Sequence, residues 1–356
     1  MKEKVPQTIS VALIGPLPPP LGGASVAFAA LVRGVKKTSD VQFDVVDSVP
    51  RKGETRARRF FARLCQFSRV PRLIARNDVI FLNASNQTLI FVGSFFSLLC
   101  RIFQRKLILR AFGGSLHKAH KNSVFYRPLI GLAFRKNIIL LETKEMISYF
   151  RQTIPKGDYV WFPNSRSYRG PTLSPDDFDD GPLRVVFLSQ IRRDKGIMEL
   201  VEAAKDIEDS AIQLSIYGPL CDGILKEDIE VSPSIRYLGS VAPDKVFQVL
   251  RKHHVFALPT YYPGEGYPGA LIEAMFVGLP SVVTNFGVLR EVVDETTSFF
   301  VDTRSVKSIE SVLRKLLGDR VSLRNRSVAS LNRSKMFDSE AWNHEKVSEV
   351  FESVKG

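Results

Sequence analysis

Short, nearly unbroken apolar runs recur along the chain, each followed by a longer stretch of mixed polarity. Residues 9–15, 43–47, 79–83, 106–111, 137–141 and 159–162 form one such series. Apolar runs of this length without polar alternation suit strands buried on both faces of a parallel sheet, and the segments between them are long enough for crossover helices. The rhythm pauses in a stretch rich in Pro, Gly, Ser and Asp. It then restarts with residues 183–188, 213–217, 235–238, 254–258 and 281–284, while residues 198–205 and 268–277 carry helical spacing. Two α/β units follow, residues 1–165 and 183–339, joined by a linker at 166–182. A chain of 356 residues suits that division. Open α/β sheets hold ligands beyond the carboxyl ends of their strands, so the loops there are where chemistry is to be sought.

Hydrophobic residues at 44% and charged residues at 24% are those of a globular chain able to bury a core, which excludes general disorder. Cys65, Cys100 and Cys221 are far apart and form no ligand pair, so they read as reduced, buried thiols in a cytoplasmic protein. The apolar run at 11–14 is too short for a signal-peptide core, and polar residues interrupt the uncharged stretch 83–100, so no membrane span is expected. Charge is divided unevenly. Residues 1–165 hold 26 Lys+Arg against 9 Asp+Glu, whereas the remainder holds 24 against 28. A net +17 in one half points to a polyanionic partner there: nucleic acid, an anionic membrane or a phosphorylated acceptor.

Three loops at strand-to-helix junctions carry candidate chemistry. The first runs from Gly15 through four prolines to Gly22 and Gly23, where a helical pattern begins. A glycine pair lets backbone approach a ligand, and amides at a helix start suit a diphosphate; a plain turn is the alternative. The second, residues 189–196, places Arg192, Arg193 and Lys195 at the corresponding point of the second series, where cations can meet phosphate oxygens or stand as a solvated basic turn. The third, residues 259–275, is the strongest. Glu265 lies in a Gly/Pro loop and Glu273 about one turn into an apolar helix, where a carboxylate is costly unless something binds it. Carboxylates accept the paired hydroxyls of sugars and riboses, and the amides of Gly269, Ala270 and Leu271 suit a phosphate. On spacing alone, a loop-capping carboxylate and one paired with a nearby Arg or Lys account for the pattern equally well.

The Glu-x7-Glu pattern of Glu265 and Glu273, the Glu-Ala-Met-Phe-Val-Gly-Leu-Pro run after it, the Asp194-Lys195-Gly196 turn and the Pro-rich loop ending in Gly22-Gly23 together resemble retaining glycosyltransferase family 4. Tyr217-Gly218-Pro219, Tyr237-Leu238-Gly239 and Phe162-Pro163-Asn164 are further landmarks. The resemblance implies a GT-B fold: two Rossmann-like domains whose parallel sheets face across a cleft, the N-terminal one binding the acceptor and the C-terminal one the nucleotide-sugar, with residues 340–356 crossing back. It implies catalytic roles for Glu265 at a sugar hydroxyl and Lys195 at the donor diphosphate, helped by Arg193. It assigns donor binding to Gly22, Gly23, Arg192, Gly266, Tyr267, Gly269, Ala270, Leu271 and Glu273, the last at the ribose. Transfer would retain anomeric configuration and use no metal and no cofactor.

Two departures stand out. Ser189-Gln190-Ile191 replaces the family's usual Gly-Arg-Leu, so the second phosphate cation falls to Arg192 or Arg193. Phe112 stands where the family often has His, leaving Arg110 or His117 as acceptor or phosphate contacts. Residues 51–76 carry nine Lys+Arg against one acidic residue, with Phe60, Phe61, Leu64 and Phe67 interleaved, the pattern of a basic amphipathic helix on an anionic membrane. A solvated helix packed by its aromatic face is the bland alternative. The resulting expectation is a cytoplasmic enzyme, peripheral to the inner face of the cell membrane, that moves a sugar to a lipid-linked saccharide in bacterial surface polysaccharide assembly. Its rivals are a nucleotide-sugar epimerase of the same fold, a catalytically silent partner, and a nucleic-acid binder, the last without any recognised nucleic-acid module.

Overall fold

Each apolar run becomes a strand in one of two parallel six-stranded sheets. The computed structural model describes residues 9–19, 23–35, 41–48, 70–342 and 346–355. The chain divides into residues 1–165 with 339–356, and residues 166–338. Residues 166–182, read as a linker from their composition, group with the second unit, and Leu173 and Phe178 are buried there.

The first sheet has the order β2-β1-β3-β4-β5-β6, formed by Ile9–Gly15 (β1), Val41–Asp47 (β2), Val79–Ser85 (β3), Lys106–Phe112 (β4), Ile138–Leu141 (β5) and Asp158–Trp161 (β6). Alternate residues of β1 enter two separate cores: Ala12 and Ile14 pack on one face, Val11 and Leu13 on the other. Strand β2 lies at the edge, and its residues are mostly exposed beyond Val41. Val347, Val350 and Phe351 of the final helix join the Val11 face, and Trp342 packs edge-on against Trp161 at 5.1 Å.

The second sheet has the order β12-β11-β10-β7-β8-β9, formed by Leu183–Leu188 (β7), Ile212–Tyr217 (β8), Ile235–Tyr237 (β9), Val255–Leu258 (β10), Ser281–Thr284 (β11) and Ser298–Val301 (β12). Every residue of β10 and β11 is buried, as expected of central strands covered on both faces. From β7 the chain builds outward through β8 and β9, then returns to build β10, β11 and β12 on the other side. Strands β7 and β10 are therefore the neighbours between which connection direction reverses, and the crevice at their carboxyl ends is where a sheet of this kind takes a ligand.

Among the described residues no helix is long and apolar enough to cross a membrane. Cys100 is a buried free thiol, pushed up to about 12 by its burial, and Cys221 is half-buried rather than in the core. Cys65 lies outside the described residues.

The turn into β10 buries two histidines. His254 Nδ1 accepts from the Arg184 amide at 3.2 Å, and His253 Nδ1 meets the Val249 carbonyl at 2.9 Å. Burial, the largest cause for each, pushes both imidazoles down to about 4. In the unfolded chain both ionise near pH 6.5, so the unfolded state takes up protons first as pH falls. Stability is therefore complete above about pH 6.5 and lost progressively towards pH 4, by on the order of 3 kcal/mol for each histidine. The urea midpoint of unfolding is expected to fall steadily from pH 7 to pH 5; a flat midpoint across that range would place the two rings in solvent.

Candidate functional site

The carboxyl ends of β7 and β10 carry the two loops singled out in the second unit. After β7, the one-turn helix Arg193–Lys195 ends at Gly196, which holds φ +74°; a β-carbon there would stand 2.1 Å from the Pro259 carbonyl oxygen. Only glycine lets the two loops approach so closely. That approach delivers Lys195 to Glu265. Its Nζ donates to Oε1 at 2.9 Å and Oε2 at 2.7 Å, and both side chains are buried. The Thr260 hydroxyl donates to Glu265 Oε2 at 2.8 Å, so the carboxylate is held from two sides. Tyr262 lies beneath the cations, its ring centroid 4.8 Å from Lys195 Nζ and 4.9 Å from Arg192 Cζ.

Arg192 is held by Asp194, Nη2 to Oδ2 at 2.6 Å, while Arg193 is exposed. The helix Gly269–Phe276 begins after Pro268, and its first intrahelical bond runs from the Ile272 amide to the Pro268 carbonyl at 3.1 Å. The amides of Gly269, Ala270 and Leu271 thus form its open end, without a side-chain cap. Glu273, one turn in, is paired with Arg166, whose Nε donates to Oε1 at 2.6 Å. The Arg166 guanidinium also lies against the first residue of that helix: a β-carbon on Gly269 would stand 1.8 Å from Nη2. Both carboxylates of the Glu-x7-Glu pattern therefore have cationic partners, whereas the alternative open from spacing paired one of them and left the other to cap a loop. Such pairs are exchangeable: a diphosphate competing for Lys195 or Arg166 would release carboxylate oxygens to accept hydroxyls.

Gly266 follows Glu265 in the same loop. The Tyr267 side chain is buried in the unit, its hydroxyl donating to Glu291 Oε2 at 2.6 Å and its ring edge-on to Phe337, so the side chain is already engaged. In the first unit, a β-carbon on Gly23 would stand 3.5 Å from the Phe112 ring, so Phe112 lies against the start of the helix Gly23–Val35. Gly22 lies outside the described residues. Arg110 is buried with its Cζ 4.6 Å from the Phe162 ring centroid. His117 is buried, its Nε2 3.2 Å from Glu145 Oε1; burial lowers its pKa against the opposing pull of Glu145. Residues 51–69 of the basic segment lie outside the described residues, and residues 70–76 are helical.

Sequence reasoning missed Arg166, Thr260 and Tyr262. Thr260 and Tyr262 stand within the strongest loop, and their short separation from Glu265 was the available signal. Arg166 is 107 positions from Glu273, and only the fold brings them together.

The fold is GT-B. Over 97% of this chain it matches sucrose-phosphate synthase from Thermosynechococcus elongatus (TM-score 0.78, 14% identity, 99% of that chain). Over 97% it also matches Anabaena Alr3699/HepE in complex with UDP-glucose (TM-score 0.73, 16% identity, 100% of that chain). Residues 182–319 match the family described as Glycosyl transferases group 1. Among curated relatives, the putative teichuronic acid biosynthesis glycosyltransferase TuaC of Bacillus subtilis is 25% identical over 130 residues, 36% of this chain and 32% of that protein. The 2-deoxystreptamine N-acetyl-D-glucosaminyltransferase of Niallia circulans is 28% identical over 147 residues, 38% of this chain and 36% of that protein. The matched region spans about a third of the length of these relatives.

Proposed function

We infer that this chain is a GT-B glycosyltransferase whose nucleotide-sugar donor binds at the carboxyl ends of β7 and β10. The observation that carries the reading is the buried meeting of Lys195 with Glu265 at that crevice, beside the open end of the helix bearing Glu273. In this reading the donor diphosphate takes Lys195 and the amides of Gly269, Ala270 and Leu271, with Arg192 and Arg193 adding cationic charge. Glu265 turns to a hydroxyl of the transferred sugar and Glu273 to the ribose. Cations and helix amides then stabilise the departing diphosphate, which favours a metal-independent transfer; retention of anomeric configuration is carried by the family resemblance. The family match over 182–319 and the donor complexes of structural neighbours support the same assignment.

The acceptor we propose is a lipid-linked saccharide of surface polysaccharide assembly, met by a cytoplasmic enzyme at the inner face of the membrane. The +17 charge of residues 1–165 and the teichuronic acid relative support this. An epimerase would have no use for that charge, and a silent partner no use for Lys195, Glu265 and Glu273 together.

The test is a thermal-shift screen against UDP, GDP, ADP and their sugars, repeated with Glu273→Ala. A ligand at about a hundred times its Kd adds about 2.7 kcal/mol, or about 5–10 °C in a unit of this size. One nucleotide is expected to raise the midpoint of the wild type and to do so far less in the variant. No response to any nucleotide would overturn the donor assignment.

A further inference from the structure

In the first unit, the helical run after β3, comprising Asn86–Thr88, Leu89–Gly93 and Ser94–Ile102, turns an apolar face to solvent. Phe91 is 50% exposed, Phe95 39%, Leu98 48% and Ile102 65%, at spacings of four, three and four that share one helix face. The opposite face is already in use, since Leu89, Ile90, Phe96 and Cys100 are in the core. Phe103, and Val124 and Phe125 ahead of the helix Tyr126–Phe134, are exposed as well. Phe91 and Phe125 both stand edge-on to the Tyr126 ring, at 6.0 Å each, which joins the two groups into one patch. Of the fifteen large apolar side chains exposed among the described residues, seven lie here, too many in one place for scattered surface residues.

Within this stretch of sequence the charge has one sign; Asp78 and Glu145, which lie outside it, are held by Arg105 and His117. From residue 79 to residue 141 the chain holds nine Lys+Arg and no Asp or Glu. Arg101 bridges the two helical segments, its Nη2 donating to the carbonyls of Leu132 at 3.0 Å and Arg135 at 2.7 Å. Arg127 Nη2 donates to the Lys121 carbonyl at 2.8 Å, so exposed Lys121 and Arg127 flank Val124 and Phe125. A second copy placed on this face would set cation against cation. A bilayer rich in anionic lipid supplies both an apolar interior for the aromatic side chains and opposite charge for the rim.

We propose that the face made by Phe91, Phe95, Leu98, Ile102 and Phe125, rimmed by Arg101, Lys121 and Arg127, docks on an anionic bilayer. This deepens the membrane part of the functional reading, rests on residues other than 51–69, and is independent of the donor site.

The test uses the full chain in co-sedimentation with vesicles of phosphatidylcholine alone and of phosphatidylglycerol with phosphatidylcholine. The variant Phe95→Ser/Leu98→Ser/Ile102→Ser is compared with a control that replaces three exposed apolar residues of the second unit, Leu225→Ser/Val321→Ser/Val328→Ser. The wild type and the control are expected to bind the anionic vesicles and not the neutral ones, and the first variant to bind about tenfold less or weaker still. Should its thermal midpoint fall, Phe91→Ser/Phe125→Ser probes the same face with less change to the helix. Unchanged vesicle binding by both face variants, or no wild-type binding to anionic vesicles, overturns the proposal. So does a dimer in sedimentation velocity that the variants abolish without any vesicle binding, which would assign the face to a second copy. Vesicle binding that depends on the face in protein that answers to no nucleotide would support the docking surface and fail the donor reading alone.

Discussion

Replacing Lys195 with methionine is expected to lower the thermal midpoint by about 10 °C and to abolish sugar transfer. The side chains of Lys195 and Glu265 are only 11% and 7% exposed, and Nζ reaches both carboxylate oxygens. Removing one partner leaves Glu265 charged, buried and reduced to the Thr260 hydroxyl. Breaking a buried pair in this way costs about 3–5 kcal/mol, and each kcal/mol moves the midpoint of a unit this size by about 2–4 °C. The double variant Lys195→Met/Glu265→Gln leaves no charge behind and is expected to regain most of the lost midpoint while transfer stays absent. Calorimetric unfolding alongside release of nucleoside diphosphate separates the two effects. Equal midpoints for the single and double variants would show that the pair does not carry the stability.

Gly196→Ala is expected to weaken the second unit and the donor site together. A positive φ alone costs an alanine roughly 1–2 kcal/mol. At Gly196 the added carbon also meets the Pro259 carbonyl at 2.1 Å, so the turn that presents Lys195 must move away from β10. Gly223 is the matched control, with φ +70° and nothing within 4 Å of an added β-carbon. The excess of Gly196→Ala over Gly223→Ala in urea unfolding measures the clash, and nucleotide affinity is expected to fall only for Gly196→Ala. Equal effects of the two would show that the close approach at Pro259 is unimportant.

Much of the fold was visible in the apolar pattern because parallel strands buried on both faces read as unbroken runs. Eleven of the strands stood where runs were seen, with ends displaced by up to two residues. The exception was β12, Ser298–Val301, whose four residues sit at a sheet edge and include a serine. Its burial depends on the Ser298 hydroxyl meeting that of Ser281 at 2.6 Å, a partner set by register and invisible to periodicity. The candidate loops stood out for a related reason: glycines and charges beside strand ends are where such sheets expose backbone to a ligand. What spacing alone left undecided was the company each carboxylate keeps. Glu265 could be matched with Lys195 only once Gly196 had brought the loops together, and Glu273 with Arg166 only through the contact at Gly269. Tyr267 shows what residue type alone does not reveal, since its ring and hydroxyl are taken up by Phe337 and Glu291.

On the proposed function, the crevice beyond β7 and β10 holds a nucleoside diphosphate. Calorimetric titration of the purified chain with the nucleotide that the thermal screen selects, against its monophosphate and its nucleoside, tests it most directly. Binding at one site per chain is expected, weakening in the order diphosphate, monophosphate, nucleoside, and reduced at least tenfold by Glu273→Ala. Equal affinity for all three compounds, or undiminished affinity in the variant, would show that the crevice is not a diphosphate site.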